Sequence, residues 1–232
     1  MTTLTRILLN PRTRGGRKLL TDPQSMHAAV RACFPPDIDE SSARVLWRVD
    51  QRDEEHVLYV VGPEKPTCNH VIEQAGWETR PAHTAEYTRL LNTLQRGQRW
   101  HFELVANPTY SEFKKGQRGK VKAHVSVAHQ LGWLYKKAEG AGFALAPRPE
   151  DAASDAERAR WQAGDGPQII ERGTDTFYRG KRGEGRPVKV AKARFVGTLE
   201  VTDPDKLRET LQLGIGRARG YGCGLLTLAK GN

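Results

Sequence analysis

Two groups of side chains in this chain could do chemistry at a phosphate. The first is a histidine with polar neighbours at helical spacing. Gln24, His27 and Arg31 stand at i, i+3 and i+7 and so share one face of a helix, beside a core face of Met26, Ala29, Val30 and Cys33. An imidazole titrates near ~6.5 and can give or take a proton at neutral pH. Nearby cations and a helix N-terminus lower that value, a bound phosphate raises it, and the sequence leaves the balance open. Alone, such a histidine is most often an ordinary surface residue.

The second group is a set of cations in four segments. These are Arg12, Arg14, Arg17 and Lys18; Lys114, Lys115, Arg118, Lys120 and Lys122; Arg179, Lys181, Arg182 and Arg186, continuing to Arg194; and Arg217 with Arg219. Lys and Arg total 37 against 27 Asp and Glu, a formal charge of +10, which favours a polyanionic partner. A run of charge is usually a solvated face. Here Gly15, Gly16, Gly116, Gly119, Gly180, Gly183 and Gly185 are interleaved with it, and glycine lets backbone amides approach phosphates closely. No helix-turn-helix, zinc finger or basic zipper is visible, and the Arg179–Arg186 stretch between two strands suits the backbone of an RNA stem.

Other classes recede. No apolar run reaches the roughly 18 residues of a membrane span, and the N-terminus lacks secretory features, so a cytoplasmic protein is expected. Cys33, Cys68 and Cys223 are odd in number and far apart, and no histidine spacing suits zinc. No metal and no cofactor are expected.

The elements that position these residues form one pattern twice. Leu4–Leu9 reads as a strand ending at Asn10-Pro11, followed by a basic loop and a helix capped by Asp22 with Pro23 in its first turn. Trp100–Val105 ends at Asn107-Pro108, followed by a basic loop and a helix over Ser126–Ala138 with Val127, Leu131, Leu134 and Tyr135 inward. The first half continues with a hairpin (Val45–Val49, Val57–Val61), a short helix near His70–Gln74 and a last strand at Trp77–Arg80. The second continues with strands at Gln168–Ile170, Thr174–Tyr178, Val188–Val201 and Leu225–Ala229 and a helix opening at Asp203-Pro204. Glu150–Gly166 reads as a surface loop. Each half has the order βαββαβ. The expected class is α+β, two tandem ferredoxin-like (RRM-like) domains, residues 1–95 and 96–232, with a linker near Asn92–Gly97.

The segment Gly214-Ile215-Gly216-Arg217-Ala218-Arg219-Gly220-Tyr221-Gly222-Cys223-Gly224 lies between that helix and the last strand. It is neither a Walker A loop nor a dinucleotide fingerprint, because no Gly-Lys-Ser/Thr follows and it runs from helix to strand. A helix end with a flexible turn is the plain reading. The pattern resembles the glycine-rich loop of RAMP-type CRISPR proteins. The opening Leu4–Pro11, Met26-His27, the block Arg99–Pro108 and the stretch Lys192–Val201 narrow the resemblance to the CasE family, the endoribonucleases of the type I-E Cascade complex.

That resemblance implies metal-independent cleavage of the CRISPR repeat hairpin in pre-crRNA and retention of the mature crRNA with other Cascade subunits. It implies that His27 is the general acid or base, with Arg31 as a candidate for stabilising phosphate charge and Gly214, Gly216, Gly220, Gly222 and Gly224 as the loop. Related enzymes often carry a tyrosine three residues before the histidine, where this chain has Gln24. Either His27 works without a phenol or a tyrosine arrives from another segment. The competing readings are a catalytically silent RNA-binding RAMP subunit and a basic ribosome-associated protein.

The charge pattern makes a prediction of its own. Affinity for a hairpin RNA should fall steeply with salt, and removing Lys114, Lys115 and Arg118 together should flatten the slope of log affinity against log salt. Affinity that is unchanged between low and physiological salt would disprove the role of the basic segments.

Overall fold

The computed structural model describes residues 1–114, 117–162, 164–179 and 186–230. The first half opens with β1 (Thr3–Leu9), whose Thr3, Thr5, Ile7 and Leu9 are buried in alternation. Two helices follow, α1 (Arg14–Thr21) and α2 (Pro23–Arg31). The Thr13 hydroxyl accepts the Gly16 N–H at 2.9 Å to start α1. The Asp22 carboxylate accepts the Gln24 N–H at 3.0 Å to start α2, with Pro23 in its first turn. Then come β2 (Leu46–Arg52), β3 (Glu55–Gly62), α3 (Asn69–Ala75), β4 (His83–Glu86) and α4 (Tyr87–Asn92). The sheet order β2-β3-β1-β4, with every neighbouring pair antiparallel, is the ferredoxin-like arrangement.

The second half runs β5 (Arg99–Ala106), the hairpin β6 (Thr109–Lys114) and β7 (Gln117–Ala123), α5 (Val127–Gly140), β8 (Phe143–Leu145), α6 (Asp155–Gln162), β9 (Gln168–Phe177), β10 (Val188–Val201), α7 (Pro204–Leu213) and β11 (Leu226–Ala229). Its sheet order is β11-β5-β10-β8. β9 pairs with Val188–Val196 of β10 and β8 with Leu199–Val201, so these two strands together fill one ferredoxin position. Both halves are thus ferredoxin-like, as expected, and the chain is α+β.

Several expectations need correction. The basic segment after Asn10-Pro11 is the helix α1, not a loop. Its glycines serve packing, since a Cβ on Gly15 would lie 2.0 Å from the Gln74 carbonyl oxygen and one on Gly16 1.8 Å from that of Asn10. The equivalent segment after Asn107-Pro108 is a hairpin in a sheet of its own. The repeat is therefore one of position, with different local structure in each copy. Trp77–Arg80 makes a single bridge within a turn, and the last strand of the first half is β4. Glu150–Gly166 contains α6, and β8 was not anticipated. On α5 the buried residues are Gln130, Trp133, Leu134 and Ala138, whereas Val127 is 44% exposed. The inward face follows Trp133, which stacks on Phe195.

The first sheet is covered on both faces. Ile7, Leu9, Trp47, Leu58 and Val60 pack under α2 and α3, while Leu46 and Val61 face the second half and join Phe102, Leu104, Trp133, Phe195 and Leu211. Among the described residues no helix is long and apolar enough to cross a membrane. Four charged side chains are embedded where the halves meet. Arg48, 2% exposed, donates to both carboxylate oxygens of Asp50 at 2.7 Å, to the carbonyls of Glu103 (2.8 Å) and Leu225 (3.2 Å) and to the Thr227 hydroxyl (2.9 Å). Arg194 donates to Asp50 at 2.7 Å, to the Val49 carbonyl at 3.0 Å and to the Glu103 carboxylate.

Burial disfavours the Asp50 carboxylate, but Arg48 and Arg194 outweigh it and hold its pKa below the usual range. A lowered folded pKa stabilises the protein above the unfolded value near ~3.9, and this contribution is lost as pH falls through the folded value. Asp50→Asn should lower the free energy of unfolding in urea by about 3–5 kcal/mol at neutral pH, because it breaks the buried Arg48–Asp50 pair and leaves Glu103 as the one carboxylate shared by Arg48 and Arg194. The difference from wild type should shrink in acid. A loss under 1 kcal/mol would rule out the buried cluster as the tie between halves.

Candidate active site at the junction of the halves

Met26 and Val30 anchor α2 to the first sheet and turn Gln24, His27 and Arg31 outward. The second half then covers this face. After α7 the chain doubles back between two pins: Ile215 N–H donates to the Gly224 carbonyl at 2.9 Å, and Gly224 N–H donates to that of Val105 at 2.7 Å. Between them a 3-10 turn at Arg219–Tyr221 projects against α2 and β2. The Trp47 indole N–H donates to the Gly220 carbonyl at 3.2 Å. A Cβ on Gly220 would lie 3.2 Å from His27 Cε1, so the missing side chain makes room for the imidazole. Gly222 adopts φ 75°, and a Cβ there would lie 2.7 Å from the Trp47 ring.

The next ring belongs to Tyr221, whose centroid is 5.8 Å from that of His27. Its hydroxyl donates to Gln24 Oε1 at 3.3 Å and accepts from Arg179 Nε at 3.0 Å. The Arg179 guanidinium also lies 5.5 Å from the ring centroid, and Phe177 packs on the ring at 4.5 Å. A cleft of about 310 Å³ runs alongside, lined by Met26, Trp47, Gly222, Asp175, Lys192 and Arg194.

His27 is half-buried, and its pKa is lowered. Burial is the main cause and the Arg31 charge the second, partly offset by Glu40 and the Gly220 backbone. The imidazole is therefore biased towards its neutral form, which can accept a proton. Arg31 is not a free cation: its guanidinium bonds Glu40 at 2.6 Å, and Glu40 also accepts the Val45 N–H at 2.9 Å.

The structure brings together Gln24, His27, Arg31, Gly220 and Arg179. Arg12, Arg14, Arg17 and Lys18 are exposed on and beside α1, which packs against α2. Lys120 and Arg186 are exposed, and Lys122 bonds Glu112 at 2.7 Å. Arg217 is exposed, whereas Arg219 is half-buried and donates to the Gly216 carbonyl at 3.0 Å, tying its own loop. Gly214, Gly216 and Gly224 shape the doubled-back segment. Lys115, Gly116, Gly180, Lys181, Arg182, Gly183 and Gly185 lie outside the described residues, as do the side chains of Lys114 and Arg118. Sequence reasoning did not single out Tyr221, Trp47, Phe177 or Glu40. Only Tyr221 carried a signal, as the one hydroxyl-bearing side chain within Gly214–Gly224.

Fold and site together define a protein of two ferredoxin-like halves with a histidine enclosed by a glycine-rich turn. The chain belongs to the CRISPR associated protein family, whose model matches residues 3–230. It is 31% identical over 235 residues to the CRISPR-associated endoribonuclease Cse3 of Thermus thermophilus, covering 97% of this chain and 99% of that protein. It is 31% identical over 221 residues to the Cascade subunit CasE of Escherichia coli, covering 90% and 92%. Thermus thermophilus Cse3 bound to an RNA representing a pre-cleavage complex superimposes with a TM-score of 0.74 at 26% identity, covering 99% of both chains.

The electrostatics can be tested without turnover. Arg31→Gln should raise the His27 pKa, and Glu40→Gln should lower it further, because the first removes a cation and the second an anion. An NMR titration of the imidazole reads both. Identical midpoints in the wild type and both variants would contradict the assigned causes.

Proposed function

We propose that this protein is a cytoplasmic, metal-independent endoribonuclease that binds CRISPR repeat hairpins in pre-crRNA, cuts them by 2′-hydroxyl attack and keeps the mature crRNA as part of Cascade. The observation that carries this reading is His27, its pKa lowered by burial and Arg31 and its ring enclosed by the glycine-rich turn, in a chain alike over 97% of its length to the endoribonuclease Cse3. In this reading residues 1–95 form the unit with the catalytic helix, and residues 96–232 the unit with the basic hairpin and glycine-rich loop. Both contribute to one site.

RNA carries its own nucleophile. The 2′-oxygen attacks the adjacent phosphorus, the bond to the 5′-oxygen breaks, and the products are a 2′,3′-cyclic phosphate and a free 5′-hydroxyl. His27 serves proton transfer in this reaction. Exposed Arg12, Arg14, Arg17 and Lys18, with Arg179, Arg186 and the β6–β7 hairpin, supply phosphate contacts that fix the stem. Gln24 orients an oxygen without exchanging a proton, and Arg31 acts through the charge it places beside His27.

The test is single-turnover cleavage of a repeat hairpin. His27→Ala should slow cutting by about 10²- to 10⁴-fold and retain RNA affinity. A 2′-deoxy nucleotide 5′ of the cut should block the reaction, and a chelator should leave the rate unchanged. Undiminished cutting by His27→Ala would remove His27 from the mechanism. Tight binding without any cutting by the wild type would instead favour the silent RNA-binding subunit.

A further inference from the structure

Attack by an internal hydroxyl moves two protons. The 2′-oxygen loses one as its lone pair forms the new bond to phosphorus. The 5′-oxygen gains one as the old bond breaks and leaves it with the electron pair. A single imidazole accounts for one of these transfers, and the other falls to solvent or to a second group beside it.

We propose that the Tyr221 phenol is the general acid of the cleavage, protonating the departing 5′-oxygen while His27 accepts the 2′ proton. The assignment rests on the endoribonuclease reading above. Gln24 and His27 are one turn apart on the same face of α2, and the Tyr221 hydroxyl reaches Gln24 at 3.3 Å. The phenol oxygen therefore lies at Gln24, one turn of α2 from His27, and the two rings are neighbours with centroids 5.8 Å apart. Phe177 packs on the ring and fixes its tilt.

The neighbours suit an acid. A phenol holds its proton at neutral pH and can give it up, whereas a guanidinium cannot and an amide has none to give. That excludes Arg31, Arg179 and Gln24 from the transfer. Glu40 is engaged by Arg31 and the Val45 amide. As Tyr221 gives up its proton, negative charge grows on its oxygen, where Arg179 Nε already donates at 3.0 Å. The same guanidinium lies over the ring at 5.5 Å. After cleavage the imidazolium loses its proton to solvent and the phenolate regains one, so the count closes.

The experiment compares two hairpin RNAs, one ordinary and one with sulfur in place of the bridging 5′-oxygen at the cut. A thiolate departs without a proton, so it needs no acid. Tyr221→Phe keeps the ring packing and loses only the hydroxyl. On ordinary RNA it should cut at least about 10²-fold more slowly than wild type in single turnover, with unchanged binding. On the sulfur RNA it should match wild type, while His27→Ala stays slow on both. A purely structural role for Tyr221 would give the same deficit on both RNAs and overturn the assignment. So would an unslowed Tyr221→Phe on ordinary RNA, or rescue of His27→Ala instead. Wild-type protein that binds both RNAs and cuts neither would overturn the endoribonuclease reading, and the acid assignment with it.

Discussion

The charge cluster of Glu103 and Arg194 around the buried Arg48–Asp50 pair is the constraint on which the rest of the structure depends. Apolar packing between two sheets is largely non-directional and tolerates sliding. Charged groups taken out of water do not, because each must keep its partners or pay its desolvation in full. Arg48 and Asp50 come from β2 in the first half, and Arg194 and Glu103 from β10 and β5 in the second. Their bonds admit one register between the halves.

That register decides the site. Arg48 holds the Leu225 carbonyl and the Thr227 hydroxyl, just beyond the glycine-rich segment, and its neighbour Trp47 holds the Gly220 carbonyl. Two adjacent residues of β2 thus grip the turn and the strand that follows it, from opposite faces of the sheet. A slip of one residue would exchange those faces and place the indole where the guanidinium belongs. The glycines follow from the same grip: a Cβ at Gly222 would press into the Trp47 ring at 2.7 Å, and one at Gly220 would crowd His27 at 3.2 Å.

The enclosure also sets the chemistry. Covering α2 takes water away from His27 and favours the uncharged imidazole, and Arg31 adds to this. Glu40 keeps Arg31 in place and tempers its charge. On the other side Arg179 places a cation against the Tyr221 hydroxyl. Each of the two rings therefore sits beside its own guanidinium, although their centroids are 5.8 Å apart.

Local chemistry was legible in the sequence wherever one segment suffices. The Asp22-Pro23 start of α2, the grouping of Gln24, His27 and Arg31 on one face away from the core, the hairpin β2–β3 and the order of both halves follow from caps, spacing and turn residues close in the chain; that this face is half-covered does not. The form of the basic segments was not legible: charge and glycine suit a loop, a helix or a hairpin edge equally, and α1 is the one that packs against α3 and α2. Nor was the site's composition. Tyr221 lies 197 positions from Gln24 and Trp47 lies 173 from Gly220, so no periodicity links them. The sequence alone determined that a histidine would stand beside the core face of a helix among cations, and the structure half-buries it. Only the tertiary structure decided which phenol, which indole and which carboxylate would meet it, because those contacts depend on how two separate sheets dock, and that docking is set by buried charges far apart in the chain.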